Sequence, residues 1–194
     1  LDTTTFSLAH EPMPQESIAT GVTLAFFSGD KMLGGPQSGI VVGKSSAVTQ
    51  LKRHPLARAM RIDKLNLAAL TVTLLHYLKG EATTKVPIWR MLTATPEELK
   101  ERALRWQTYS GGEVVPGQST VGGGSLPGHT LESWLLSVSQ RPTGDPDIVL
   151  RHLRQQEPPI IGRIDSDRVV LDPRTVLPEE DKDLLKGVRQ AISA

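Results

Sequence analysis

The chain has 194 residues, a formal net charge of +1 and no cysteine. The missing cysteines exclude a disulfide framework, an iron–sulfur cluster and cysteine-ligated zinc. So small a net charge gives no general attraction to nucleic acid, and any RNA contact has to come from a local basic patch. No apolar run reaches the roughly 18 residues of a membrane helix, and the first residues lack the features of a signal peptide. We predict a cytoplasmic protein, and we interpret the absence of an initiator Met as the sign of a longer chain.

Two short apolar runs near the beginning of the chain predict a pair of strands. They cover residues 22–27 and 39–42, and glycine or proline bounds both of them, as is typical of buried strands. The glycine-rich connection between them is expected to present Lys31 at the end of a sheet, where ligand clefts form. Upstream, residues 14–20 predict a short helix.

The middle of the chain predicts helices. Ser45 and Ser46 are expected to cap a helix to about residue 52, and the apolar spacing of residues 56–79 favours one long amphipathic helix that ends at Gly80. Thr95 starts the next helix, with proline after it and a glutamate three residues beyond, the pattern of a capping box.

The last part of the chain predicts a smaller α+β unit. Its expected elements are strand pieces at residues 114–115, 119–121 and 131–139, a helix at 145–156, a hairpin at 160–171 and a final helix from residue 178.

Lys31 is the candidate catalytic residue. A lysine held at the end of a sheet loses its proton more readily and can form a Schiff base with an aldehyde cofactor. The hydroxyl of Ser28, three residues earlier, is suited to a cofactor phosphate. The plainer interpretation is a solvated surface lysine, and spacing alone does not decide between the two.

Residues 27–39, with the sequence FSGDKMLGGPQSG, resemble the segment around the cofactor lysine of the bacterial selenocysteine synthases (L-seryl-tRNA(Sec) selenium transferases). Met32 and Ser38 are mild departures from the family pattern. Further similar segments make the resemblance span nearly the whole chain, as the C-terminal portion of such an enzyme; they are residues 10–17, 54–64, 87–91, 122–127 and 158–163.

The resemblance implies the α/β fold of pyridoxal-phosphate enzymes of fold type I, the aspartate-aminotransferase-like fold. Residues 1–55 would then be the end of the large cofactor domain, residues 56–80 a linking helix, and residues 81–194 the small C-terminal domain. In such enzymes most groups that bind the cofactor precede the lysine. We therefore expect this chain to need the preceding part, or a partner subunit, in order to bind pyridoxal 5′-phosphate.

The resemblance also implies a reaction. Seryl-tRNA(Sec) would be the substrate and selenophosphate the selenium donor, and Lys31 would both hold the cofactor and remove the proton from the seryl Cα. Arg58 and Arg61 would bind the donor phosphate, because guanidinium groups suit oxyanions. Two arginines on one solvated helix face is the plainer interpretation of that pair. A homo-oligomeric ring is implied as well, with neither metal nor membrane.

Two other functions remain open. One is a different fold-type-I enzyme, such as an ammonia lyase acting on an amino-sugar acid. The other is a non-catalytic module for oligomerisation or tRNA docking, for which the leucines of the long helix would supply an interface.

Three further motifs carry little weight. Gly43–Ser45 is not a phosphate loop, because residue 38 is serine where that motif needs glycine. The five histidines lack metal-ligand spacing. Gly122–Gly124 predicts either a close backbone approach to substrate or a flexible turn.

Overall fold

The computed structural model describes residues 1–122, 124–139 and 145–193. The chain divides into two compact units. Unit 1 consists of Leu1–Thr93 together with Val121–His129, and unit 2 consists of Ala94–Thr120 together with Thr130–Ala194. The boundaries predicted at residues 55 and 80 refer to the domains of a complete fold-type-I enzyme, and they stay a prediction.

Unit 1 contains short helices and a two-stranded antiparallel sheet. Strand β1 (Leu24–Ser28) pairs with β2 (Gly39–Gly43), so that Ser28 lies opposite Gly39. Both predicted strands are confirmed. The helices are α1 (Pro14–Ala19), α2 (Ser45–Arg53), α3 (Pro55–Ala59), α4 (Lys64–Leu78), α5 (Ala82–Lys85) and α6 (Pro87–Thr93).

The predicted burial of these strands is wrong. No residue of β1 or β2 is buried, and Phe26 is 67% exposed. Two strands alone cover neither of their faces, so burial requires another layer of structure. The prediction that Ser45 and Ser46 cap α2 is also wrong, because Lys44 holds the N-cap position and Ser45 is the first helical residue.

The predicted long helix is two helices, α3 and α4. Asp63 separates them, because its carboxylate accepts hydrogen bonds from the backbone N–H groups of Leu65 (2.9 Å) and Asn66 (3.0 Å) and so caps α4. The helix still ends as predicted, with Lys79 as C-cap and Gly80 at φ +70°.

Helix α4 is not amphipathic within this chain. Its apolar residues lie all round the helix, and Leu70 is its one buried residue. Leu65 and Leu78 are 84% and 83% exposed. A helix that is apolar on every side is typical of a fully buried element, so the sequence of α4 suits a more enclosed environment than unit 1 gives it.

Unit 2 is an α+β unit with a four-stranded antiparallel sheet in the order β3-β4-β6-β5. The strands are β3 (Glu113–Thr120), β4 (Thr130–Val138), β5 (Arg163–Asp165) and β6 (Arg168–Leu171), and the helices are α7 (Pro96–Ser110), α8 (Pro146–Arg154) and α9 (Asp181–Ser193). Side chains from α7, α8 and α9 pack with those of β4 and β6 in one buried core.

Local sequence signals predicted most of unit 2. Thr95 forms the expected capping box with Glu98, and the carboxylate of Asp145 caps α8. The predicted hairpin turns at Ser166 and Asp167, both with positive φ (52° and 59°), as a tight two-residue turn requires.

Strand β3 corrects one prediction in unit 2. The two expected pieces are one continuous strand that runs through Pro116 and Gly117. Because β3 is an edge strand, a proline without an N–H group is tolerated there. A Cβ atom at Gly117 would lie 2.3 Å from Cδ1 of Leu135, so the glycine leaves room for that buried leucine.

Candidate active site

Lys31 begins a tight turn in the segment that connects β1 to β2. Its carbonyl accepts a hydrogen bond from the Gly34 N–H (2.9 Å), so that Met32 and Leu33 are the central residues of the turn. Two further backbone bonds close the segment, from the Gly29 N–H to the Ser38 carbonyl and from the Gly35 N–H to the Gly29 carbonyl, each 2.8 Å long. Local backbone hydrogen bonds therefore shape the segment that carries Lys31.

Lys31 is exposed, and it lines a cavity of about 870 Å³ that lies within unit 1. Ser28 lines the same cavity, so the structure brings together the two residues that the sequence proposed for the cofactor. Residues of the N-terminal segment, of β1, β2, α1, α4 and α6, and of the segment 124–125 also line it. Gly123 lies outside the described residues, whereas Gly124, from the same glycine-rich motif, lines the cavity at φ +77°.

The wall is mainly apolar and carries few charges. Among the described lining residues, Lys31 is the one basic side chain and Glu11 the one acidic side chain. The Glu11 carboxylate accepts a hydrogen bond from the Leu126 N–H (3.3 Å). The aromatic part of the wall consists of Phe26, Phe27, Tyr77 and Trp89.

Tyr77 of α4 is hydrogen-bonded to the turn that contains Lys31. Its hydroxyl donates to the carbonyl of Leu33 (2.9 Å), with the carbonyl of Met32 at 3.3 Å as a second acceptor. The indole N–H of Trp89, on α6, donates to the same hydroxyl oxygen. Burial raises the pKa of the Tyr77 phenol, and the hydrogen bond from Trp89 opposes that shift. The phenol therefore keeps its proton for the carbonyls.

Arg58 and Arg61 occupy different positions from the cavity residues. Arg58 lies on α3, and Arg61 lies in the link between α3 and α4, so the two are not on one helix face as the plainer interpretation assumed. Both are exposed, and neither lines the cavity. Ser28 and Lys31 thus line the same cavity, whereas Arg58 and Arg61 do not line it.

The cavity residues fit one end of pyridoxal 5′-phosphate. The cofactor needs an amine for its aldehyde, donors for its phosphate and an acidic partner for its ring nitrogen. Lys31 offers the amine and Ser28 one hydroxyl donor. The described lining residues include no aspartate and no arginine. Of these groups, the described lining residues therefore offer one amine and one hydroxyl, and a complete cofactor site would need further groups from elsewhere.

Tyr77 and Trp89 are the site residues that sequence reasoning missed. Tyr77 fell inside the predicted long helix, and Trp89 lay in a segment noted only for its resemblance to a family. Nothing in the spacing of residues 33, 77 and 89 predicts that they meet, because their contacts form only in the folded chain.

The residues that the structure describes contain neither a metal-binding cluster nor a membrane-spanning helix. In that part of the chain, no group of three or more histidine, aspartate or glutamate residues is arranged to hold a metal ion. None of its helices has the length and apolar content needed to cross a membrane.

Comparison with known families places the chain. The sequence model of the family described as L-seryl-tRNA selenium transferase matches residues 1–177. The chain belongs to this family. The L-seryl-tRNA(Sec) selenium transferase of Carboxydothermus hydrogenoformans is 41% identical over an alignment of 187 positions, which covers 93% of this chain and 40% of that protein. The protein of the same name from Nitratidesulfovibrio vulgaris is 43% identical over an alignment of 202 positions, which covers 99% of this chain and 43% of that protein.

This member of the L-seryl-tRNA selenium transferase family therefore spans about two fifths of the length of the curated relatives that it matches. Among solved structures, it is similar to D-glucosaminate-6-phosphate ammonia-lyase, with a TM-score of 0.57 and 23% sequence identity, over 91% of this chain and 45% of that one. A likeness at that identity concerns the fold, and it confirms the predicted fold-type-I class.

Proposed function

We propose that this chain supplies the cofactor lysine of an enzyme that converts seryl-tRNA(Sec) to selenocysteinyl-tRNA(Sec), with selenophosphate as the selenium donor. The observation that carries the proposal is Lys31, which shares an 870 Å³ cavity with Ser28. Membership of the L-seryl-tRNA selenium transferase family supports it independently. The cytoplasmic location and the homo-oligomeric ring expected from the sequence belong to the same proposal.

Each residue has a separate task in this proposal. The Lys31 amine would hold the cofactor by its aldehyde and would also take the proton from the seryl Cα. The Ser28 hydroxyl donates to a phosphate oxygen of the cofactor. When bound, pyridoxal 5′-phosphate supplies the electron sink that makes the Cα proton removable. The mainly apolar wall would limit the access of water to the β-carbon of the substrate.

Arg58 and Arg61 do not line the cavity, and we assign them to the selenium donor rather than to the cofactor. Arg58 and Arg61 would bind the phosphate group of the selenium donor, since a guanidinium pairs with two oxyanion oxygens at once. Their exposed positions leave both side chains available for an anion.

The first test is the Lys31→Ala substitution in the full-length protein. It removes the cofactor's anchor and the base, so we expect the absorbance of the lysine-bound cofactor to disappear. We expect kcat to fall by about 10²- to 10⁴-fold, the range that general base catalysis contributes. Borohydride reduction followed by peptide mass spectrometry of the unaltered enzyme should find the cofactor on Lys31.

The control is Lys44→Ala, because Lys44 is also exposed but does not line the cavity. We expect its spectrum and its kcat to match those of the unaltered protein. A Lys31→Ala enzyme that keeps the full absorbance would mean that another lysine holds the cofactor.

No observation favours the two alternative functions over this one. The resemblance to an ammonia lyase is one of fold, at 23% identity. Turnover of a free amino-sugar acid without tRNA would favour that enzyme. Binding of tRNA without cofactor uptake by the full-length protein would favour a docking module.

A further inference from the structure

The hydroxyl of Tyr77 is the one side-chain group in the described residues that hydrogen-bonds to the turn of Lys31, defined as residues 31–34. It contacts two successive carbonyls, those of Met32 and Leu33. The peptide planes that follow Lys31 therefore have their orientation set from α4. Rotation of either plane would require the loss of a hydrogen bond in a partly buried position.

A second contact restricts the same turn. Gly34, its last residue, packs so closely against Val86 and Ile88 that a Cβ atom would lie 2.4 Å and 2.8 Å from their methyl groups. Trp89 follows directly in the chain, is buried, and donates to the Tyr77 hydroxyl. The turn thus contacts α4 through Tyr77, and it contacts α6 and the residue before it through Gly34.

We propose that Tyr77 is a positioning residue, whose hydroxyl fixes the Lys31 turn so that the lysine amine reaches both the cofactor and the substrate Cα. The proposal rests on the proposed function of Lys31. Tyr77 itself takes no part in proton transfer, since its hydroxyl hydrogen is committed to backbone carbonyls. Its effect reaches the reaction through the placement of the lysine backbone, where an error of about 1 Å costs roughly 10²-fold in rate.

The test is Tyr77→Phe in the full-length protein loaded with cofactor, because this change removes the hydroxyl and keeps the ring. We expect kcat to fall by about 10- to 100-fold, with KM for seryl-tRNA(Sec) within about two-fold of its original value. We also expect the pH midpoint of the lysine-bound cofactor absorbance to move, because a loosely held amine meets a different environment. A tyrosine that only stabilised the fold would leave both the midpoint and kcat of the folded fraction unchanged.

The matched control is Tyr109→Phe. The chain has two tyrosines, and Tyr109 lies on α7 in unit 2, with its ring beside the guanidinium of Arg189. We expect Tyr109→Phe to retain both kcat and the absorbance midpoint. Thermal unfolding and borohydride labelling of every variant give the fraction that is folded and loaded, and kcat is expressed per labelled site.

The outcomes separate this inference from the proposed function. Label on Lys31 in every variant, with Tyr77→Phe as active and as spectrally normal as Tyr109→Phe, overturns the role of Tyr77 alone. Label on a different lysine in the unaltered enzyme overturns the proposed function and this inference together. Label on Lys31 with a slow, spectrally shifted Tyr77→Phe enzyme supports both.

Discussion

Position 34 requires a residue without a side chain for two separate reasons. Its φ is +72°, in the left-handed region that is unfavourable for residues with a Cβ atom. The space where a Cβ would lie is already filled by Val86 and Ile88. The chain offers a glycine that shares only the first of these constraints, Gly80, with φ +70° and no atom within 4 Å of the Cβ position.

This pair predicts two different stability losses. We expect Gly80→Ala to lower the free energy of unfolding by about 1–2 kcal/mol, the cost of the left-handed conformation. Gly34→Ala should lose about 1–3 kcal/mol more, because the added methyl group overpacks the contact with α6 and the segment before it. Urea unfolding followed by tryptophan fluorescence measures both. Equal losses for the two variants would mean that Val86 and Ile88 move to admit the added methyl group without a loss of stability.

Arg58 and Arg61 are predicted to act on the selenium donor alone. We expect Arg58→Ala and Arg61→Ala in the full-length protein to raise KM for selenophosphate by about ten-fold or more, since a charge-assisted pair contributes roughly 1.5–3 kcal/mol. KM for seryl-tRNA(Sec) should stay as it was. Arg53→Ala, at the exposed end of α2, is the control. Unchanged selenophosphate kinetics in both variants would contradict the assignment.

At the scale of helices and strands, the sequence predicted what local chemistry decides. Thr95 and Asp145 mark helix starts because a capping side chain bonds within three residues of itself. The break before α4 was missed because the apolar spacing continues across Asp63, and its capping role does not disturb that spacing. The short helices α5 and α6 were also missed, since four and seven residues are too few for a clear periodicity.

In the candidate site, too, the sequence predicted the residues that are close together in the chain and missed those that are far apart. Ser28 and Lys31 are three residues apart, and the strand pattern together with the family resemblance sufficed to pair them. Tyr77 reaches the same turn across 44 residues of chain, and only the packing of α4 brings it there. Sequence patterns within one element carry no information on contacts of that kind.

On the scale of the whole molecule, the buried side chain of Arg102 connects several elements of unit 2. Arg102 of α7 forms an ion pair with Asp181 at the start of α9, and it donates to the carbonyls of Pro173 (2.7 Å) and Val176 (2.8 Å). Its guanidinium also lies 5.1 Å from the ring centre of Trp106. One side chain thus joins α7, α9 and the segment before α9.

Substitution of this arginine should destabilise unit 2 strongly. We expect Arg102→Met to lower the free energy of unfolding by about 3 kcal/mol, because the apolar side chain leaves a carboxylate and two carbonyls without their partner. Arg168→Met should cost less than about 1 kcal/mol, since the pair of Arg168 with Glu113 is exposed. Chemical denaturation of both variants tests the difference, and similar losses would contradict it.

The wall around Lys31 is not encoded by one continuous stretch of the gene. Gly124 and Ser125 belong to unit 1, although the chain has by then passed through α7 and β3 of unit 2. A shortened version that stops at Thr93 would lack them, and it would also lack the Leu126 amide that Glu11 accepts from. To express unit 1 alone, one would therefore have to join residues 121–129 to residues 1–93. An early stop codon after Thr93 would not be enough.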